Sequence, residues 1–335
     1  MLKKSGAKGA VKKPAVTVAD SLVEELWFGD ETPADVKERA ANSLSAKLAE
    51  LRGMKPFPVV AERIMTLVSD QRVRLEEVAR VLETDPGLAG RTLALSNSAL
   101  FLVGRPCDSV NQAILRVGTK ALYEMMAAVA MLEMFQDVRG IGIGFRDHCV
   151  SVAAIGRALV KSHGWDGASQ VFLAGLFHDV GKLLSMDTQE LPYDALPAEY
   201  LEFDTVHLHE RRLVGYDHAV LGGHVLKQWN LPDTVVKTVA WHHQPGRAYE
   251  NGGDEALLVA IVRVADRIDH AISRGRNPDE GLLENMSRDA ALSYLELKPE
   301  EIARAWPTLV EARASALSVF KGNRSAPGKG SGATR

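Results

Sequence analysis

The sequence predicts an all-α fold, and three observations carry that expectation. Apolar residues recur at helical spacing along most of the chain. Helix start and stop signals punctuate it at short intervals. No convincing run of alternating apolar and polar residues occurs, and short β-branched runs such as Thr234–Val239 lie between helix signals.

The elements run in this order. Residues 1–18 carry Lys3, Lys4, Lys8, Lys12 and Lys13 among Gly and Ala, the composition of a basic disordered tail. Amphipathic helices are expected over Asp20–Trp27 and Pro33–Leu51, separated by the turn-rich Gly29–Thr32. Lys55-Pro56-Phe57-Pro58 interrupts before helices over Val60–Val68 and Arg74–Leu82. Asp85-Pro86 reads as a helix start, with Asp at the N-cap and Pro at the first helical position. Asn97-Ser98 closes that helix. Ser109 and Gln112 have capping-box spacing, and Gly118 sits where the following helix should stop. The next helix, Lys120–Phe135, is rich in Met and Ala and is expected to be buried. Gly140–Gly144, GIGIG, is expected to be a joint between two lobes, the first about 19–138 and the second about 145–320. Residues 321–335, rich in Gly and Ser, read as a second disordered tail.

Composition narrows the function classes. Hydrophobic residues make up 46% and charged residues 25%, and the formal net charge is −3, which argues against general nucleic-acid binding. Cys107 and Cys149 make no disulfide framework, as suits a reducing cytoplasm. No apolar run reaches the ~18 residues of a membrane span. The lysines near the N-terminus are not followed by the apolar segment of a secretory signal.

The chemistry concentrates around Val171–Leu184, VFLAGLFHDVGKLL. A helix apolar nearly all round belongs in the interior, yet this one carries His178 and Asp179. A buried carboxylate must be paired, hydrogen-bonded or bound to metal. Candidates to meet it lie on other inward faces. His148 shares a face with Val152, Ile155 and Leu159. His218 comes after Asp217, an N-cap residue, and shares a face with Leu221, Val225 and Trp229. His242 and His243 close a helix begun at Pro232, and Asp266 lies with Val259 and Val262 in a helix over Glu255–Ile272. One such histidine is ordinarily a hydrogen-bonded core residue. Five histidines and two aspartates converging are many polar groups to satisfy without an ion. Mixed imidazole and carboxylate ligands suit one or two divalent ions of Fe, Mn or Zn, and a bridging aspartate suits a two-metal phosphohydrolase site. The competing reading is a hydrogen-bonded histidine core.

GLFHDVGKLL, with His148 ahead and Asp266 behind, resembles the HD superfamily of metal-dependent phosphohydrolases. The chain is more specifically similar to HDOD-domain proteins, a family of bacterial signalling and regulatory proteins. The resemblance covers roughly Lys55–Gln244 and rests on PFPVVAERIMTLVSD, DPGLAGRTLALSNSALF, SVNQAILRVG, LGGHVLKQWNLP and WHHQP. It implies an N-terminal helical bundle packed against an HD-like bundle, and a non-catalytic module that binds protein partners in a signalling pathway. It also implies a metal site. His148, His178, Asp179, His218, His242, His243 and Asp266 match ligand positions of the related HD-GYP phosphodiesterases, and Lys182 matches a lysine that touches phosphate there. If the chain is instead an enzyme, a metal-dependent phosphohydrolase or phosphodiesterase acting on a nucleotide, Asp179 and Lys182 are its catalytic candidates; a third reading keeps the metal as a structural or sensory one. The match ends after the histidine pair, where Gln244–Tyr249 replaces the substrate loop of those enzymes, so cyclic di-GMP hydrolysis is not expected. Asn97-Ser98 is expected at the bundle interface, and Glu210 and Asp217 are candidate supports for the histidines.

Overall fold

The computed structural model describes residues 34–51, 57–69, 72, 74–98, 101, 104–135, 141–165, 168–188, 190, 191, 193, 196 and 205–322. The expected basic tail, the helix Asp20–Trp27 and the turn after it lie outside the described residues. Among the described residues every regular element is a helix. The expected all-α class is what the protein has.

Helices α1 (Ala34–Leu51), α2 (Val59–Ser69), α3 (Leu75–Glu83) and α4 (Pro86–Ser96) lead to the long α5 (Val110–Met134). Asp85 caps α4 by accepting a hydrogen bond from the Leu88 amide, with Pro86 at the first helical position. Ser109 caps α5 through the Gln112 amide. Gly118 breaks α5 with φ of 77° and ψ of 172°, a conformation that glycine adopts without a Cβ penalty, so the first helical stretch stops there as expected and a second continues from it. Beyond the break, Met125–Met131 is fully buried. Helices α2, α3 and α4 all pack on α5. Each buried Leu or Met there contributes about 2 kcal/mol of transfer free energy. Asn97 clamps the loop after α4, its amide donating to the Cys107 carbonyl at 2.9 Å and accepting from the Cys107 amide at 2.6 Å. Both cysteines are buried free thiols.

The second group begins with α6 (Ile141–His163), which packs against α7 (Ala168–Phe177), α13 (Gly253–Ser273) and α16 (Pro299–Gly322). Ile141–Gly144 is therefore the first turn of α6, where a joint was expected. Helices α8 (Val180–Asp187), α9 (Val206–Val214), α10 (His218–Gln228), α11 (Asp233–Trp241), α12 (Gly246–Asn251), α14 (Glu280–Ser287) and α15 (Ala290–Tyr294) complete the order. The last helix runs on to Gly322, two residues into the expected C-terminal tail. The rest of that tail lies outside the described residues.

The two groups meet along α5 and α7. Glu124 of α5 is ion-paired with Arg157 of α6, whose guanidinium lies 4.6 Å from the Phe101 ring centroid and 5.7 Å from that of Phe172. Helix α1 packs against α9 and α10. Its Lys47, 5% exposed, reaches Thr188 Oγ1 at 2.6 Å and Glu190 at 2.9 Å, tying α1 to the end of α8.

Candidate metal centre

The stretch Val171–Leu184 is not one helix. It breaks at His178-Asp179 into α7 and α8. Asp179 stands at the N-cap position of α8, yet its side chain makes no cap hydrogen bond and turns into the interior instead. A continuous helix would set the His178 and Asp179 side chains about 100° apart around its axis, so both could not face one point. The break lets them do so. It is held by Gly181, where a Cβ would lie 2.0 Å from the His218 carbonyl oxygen. Only glycine allows α8 to approach α10 this closely.

All seven predicted ligand residues come together. Asp179 Oδ1 faces His218 Nε2 at 3.0 Å and His242 Nε2 at 3.9 Å. Asp179 Oδ2 faces His178 Nε2 at 3.6 Å and His148 Nε2 at 3.9 Å. His148 Nε2 also lies 3.0 Å from Asp266 Oδ1, and His178 Nε2 lies 3.9 Å from Asp266 Oδ2. His243 Nε2 stands 3.1 Å from His218 Nε2. The two oxygens of Asp179 thus address two separate sets of imidazoles.

The imidazoles are oriented from behind. His148 Nδ1 donates to Asp269 Oδ2 at 2.6 Å, and His218 Nδ1 donates to Glu210 Oε2 at 2.6 Å. His178 Nδ1 donates to the Gly175 carbonyl at 2.8 Å and His242 Nδ1 to the Val239 carbonyl at 2.6 Å, in each case three residues back along its own chain. A carbonyl or carboxylate only accepts, so each Nδ1 carries hydrogen and each Nε2 is presented inward, as in carboxylate–histidine–metal arrangements. His178 Nε2 is buried with no hydrogen-bond partner among the described residues, its nearest carboxylate oxygens standing 3.6 and 3.9 Å away. Imidazole nitrogens of His218 and His242 only 3.4 Å apart repel unless a cation or proton lies between them.

The electrostatics agree. Burial opposes charge on His148, but hydrogen bonds to Asp266 and Asp269 outweigh it and push the imidazole up to about 10. His218 rises to about 9, where the charges of Glu210 and Asp179 overcome burial. Burial, joined by the neighbouring imidazoles, drives His242 and His243 well below the usual histidine range. Asp179 is held well below the carboxylate range, because Lys182, His178 and His218 outweigh its desolvation. His178, which burial also lowers, joins His242 and His243 in favouring the neutral form that a metal ligand needs.

Lys182 sits in the first turn of α8 and donates to Asp179 Oδ2 at 2.7 Å. Glu210 supports His218 as expected. Asp217 does not reach a histidine ring: it caps α10 through the Val220 amide and binds Arg211 at 2.7 Å. The sequence reading missed Asp269, His270 and Arg313. Asp269 is bound by Arg313 of α16 at 2.6 Å, and His270 Nε2 lies 3.4 Å from Asp266 Oδ1. Asp266, Asp269, His270 and Ser273 have helical same-face spacing on α13, a signal that was legible. A cavity of about 430 Å³ opens onto this side, lined in part by Phe145, His148, Asp179, Lys182, His270 and Arg313. The residues present suit a divalent transition metal in their donors, orientation and burial.

The family model for the HDOD domain matches residues 54–245. An HDOD domain protein of unknown function from Geobacter sulfurreducens is 24% identical, with a TM-score of 0.66 over 83% of this chain and 98% of its own. A candidate phosphohydrolase from Shewanella amazonensis SB2B is 22% identical, with a TM-score of 0.63 over 82% of this chain and 97% of its own. An uncharacterized protein of Treponema pallidum (strain Nichols) is 22% identical over 273 residues, 80% of this chain and 52% of that protein. The chain thus spans about half the length of that curated relative. The structural likenesses bear on the fold.

Proposed function

This chain belongs to the HDOD domain family, and on that premise we propose that it is a regulatory module of bacterial signal transduction, working through a protein partner and built on a two-metal HD-type centre. The observation that carries the metal half of this reading is the pair of ligand sets on the two oxygens of Asp179. His148, His178, Asp179 and Asp266 would hold one divalent ion of Fe, Mn or Zn; Asp179, His218, His242 and His243 would hold the other. Metals at such positions acidify bound water and polarise phosphoryl oxygens. The chain's own groups orient the donors through Asp269 and Glu210, and Lys182 neutralises Asp179 from the cavity side.

The regulatory half is supported by the segment just after the histidine pair. Gln244 accepts from Arg211 at 2.7 Å, and Pro245 leads straight into the short helix α12. That leaves no loop of the kind that binds a cyclic dinucleotide in the HD-GYP relatives. The cavity favours a second reading, a metal-dependent phosphohydrolase acting on a nucleotide, in which Lys182 would meet a phosphate.

Mass-spectrometric metal analysis of protein purified without an affinity metal column tests the centre. The wild type should carry one or two equivalents, and the His178→Ala/Asp179→Ala variant none. Metal-free, folded wild type would overturn the metal reading. Hydrolysis screens on the loaded protein separate the two functions: turnover lost in that variant would replace the regulatory reading with the enzymatic one.

A further inference from the structure

His270 belongs to no ligand set of the proposed centre, yet its imidazole stands beside it. His148 Nε2, Asp266 Oδ1 and His270 Nε2 lie within 4.8 Å of one another, a grouping of two imidazoles and one carboxylate. Asp266 Oδ1 stands between them, 3.0 Å from His148 and 3.4 Å from His270. The His148 and His270 ring centroids are 4.7 Å apart. His148 Nε2 and Asp266 Oδ1 are buried polar atoms aimed into this space. His148 and His270 line the cavity, whereas the side chains of His178, His218 and His242 have no exposure.

We propose that His148, Asp266 and His270 form an outer, cavity-facing position for a divalent cation, through which the buried centre is loaded. The proposal rests on the two-metal reading above. Three ligands on one side of an ion leave its other positions to water, which suits a cation still partly hydrated as it arrives from the cavity. His148 Nε2 has one lone pair, so it binds either the outer ion or the ion of the inner set with His178 and Asp179. Transfer inward therefore needs the bonds to His270 and Asp266 Oδ1 to loosen while His178, Asp179 and Asp266 Oδ2 take over, with no net change in charge on the protein. A buried metal site requires an entry path, and the cavity meets the ligand cluster on this side.

The test mixes metal-free full-length protein with Co²⁺ alone and tracks ligand-field absorbance by stopped flow, with final stoichiometry measured after desalting. His270→Ala should slow uptake by about tenfold, the lower end of what loss of a group supporting a metal site costs, and should reach the same final equivalents as wild type. Unchanged uptake in His270→Ala overturns the proposal. A lost equivalent also overturns it, because His270 would then be a permanent ligand. Wild type that takes up no Co²⁺ overturns the two-metal reading itself, a result distinct from either. His270→Asn serves as the second variant, and thermal melting of both metal-free variants establishes that they fold.

Discussion

Asp269 accepts a hydrogen bond from His148 Nδ1 at 2.6 Å while its other oxygen takes one from Arg313 at 2.6 Å. The C-terminal helix α16, outside the residues matched by the family model, thereby sets the direction in which His148 Nε2 points. Asp269→Asn keeps the shape but removes the charge that steadies the imidazole. Metal affinity, measured by competition with a chromophoric chelator, should fall by about 10–100-fold. An affinity equal to wild type would remove Asp269 from this role.

Gly181→Ala places a methyl 2.0 Å from a carbonyl oxygen of α10. Backbone cannot move aside as a flexible side chain does, so α8 and α10 must separate. The variant should lose at least about 2 kcal/mol in urea unfolding. A loss below about 0.5 kcal/mol would show that the break at His178-Asp179 is not held by this contact.

The Glu124–Arg157 pair spans the two helical groups. Burial pushes the Glu124 carboxyl up to about 7 against the pull of Arg157. Arg157→Met strands that carboxylate and should cost about 3 kcal/mol at pH 8. Adding Glu124→Leu should recover most of the loss, and a double variant as unstable as the single one would count against the argument.

Burial depresses His224 to about 4, so the folded protein keeps this imidazole neutral. Between the unfolded value of about 6.5 and that folded value, the unfolded chain binds the extra proton. The contribution is fully present above pH 6.5 and is lost as pH falls toward 4. His224→Leu should flatten the fall in stability between pH 7 and 5 by about 1–2 kcal/mol. Parallel urea curves for the two proteins at both pH values would show the opposite.

Periodicity and caps sufficed for the helices. Asp85-Pro86, Ser109 and Asp217 start helices as their side chains dictate, because a cap is satisfied within three residues of itself. The seven candidate ligands were legible for a related reason: each lies on a face otherwise apolar, and a polar group there needs a partner. That Ile141–Gly144 would be helical was not legible, because glycine-rich segments carry no local sign of the helices that will cover them. The partner of Lys182, Asp179, was not legible because it is reached only where α7 stops and α8 turns.

Local chemistry along the chain therefore determined that this protein is helical and that histidines and aspartates face inward. Tertiary structure decided how Asp179 divides its two oxygens, which group orients each imidazole, and where the cavity opens. The break after Phe177 depends on a carbonyl of α10, and the direction of His148 depends on an arginine of α16. Those partners lie far away in sequence. Helical spacing reports which face a residue occupies, but only packing brings two faces from distant segments into register.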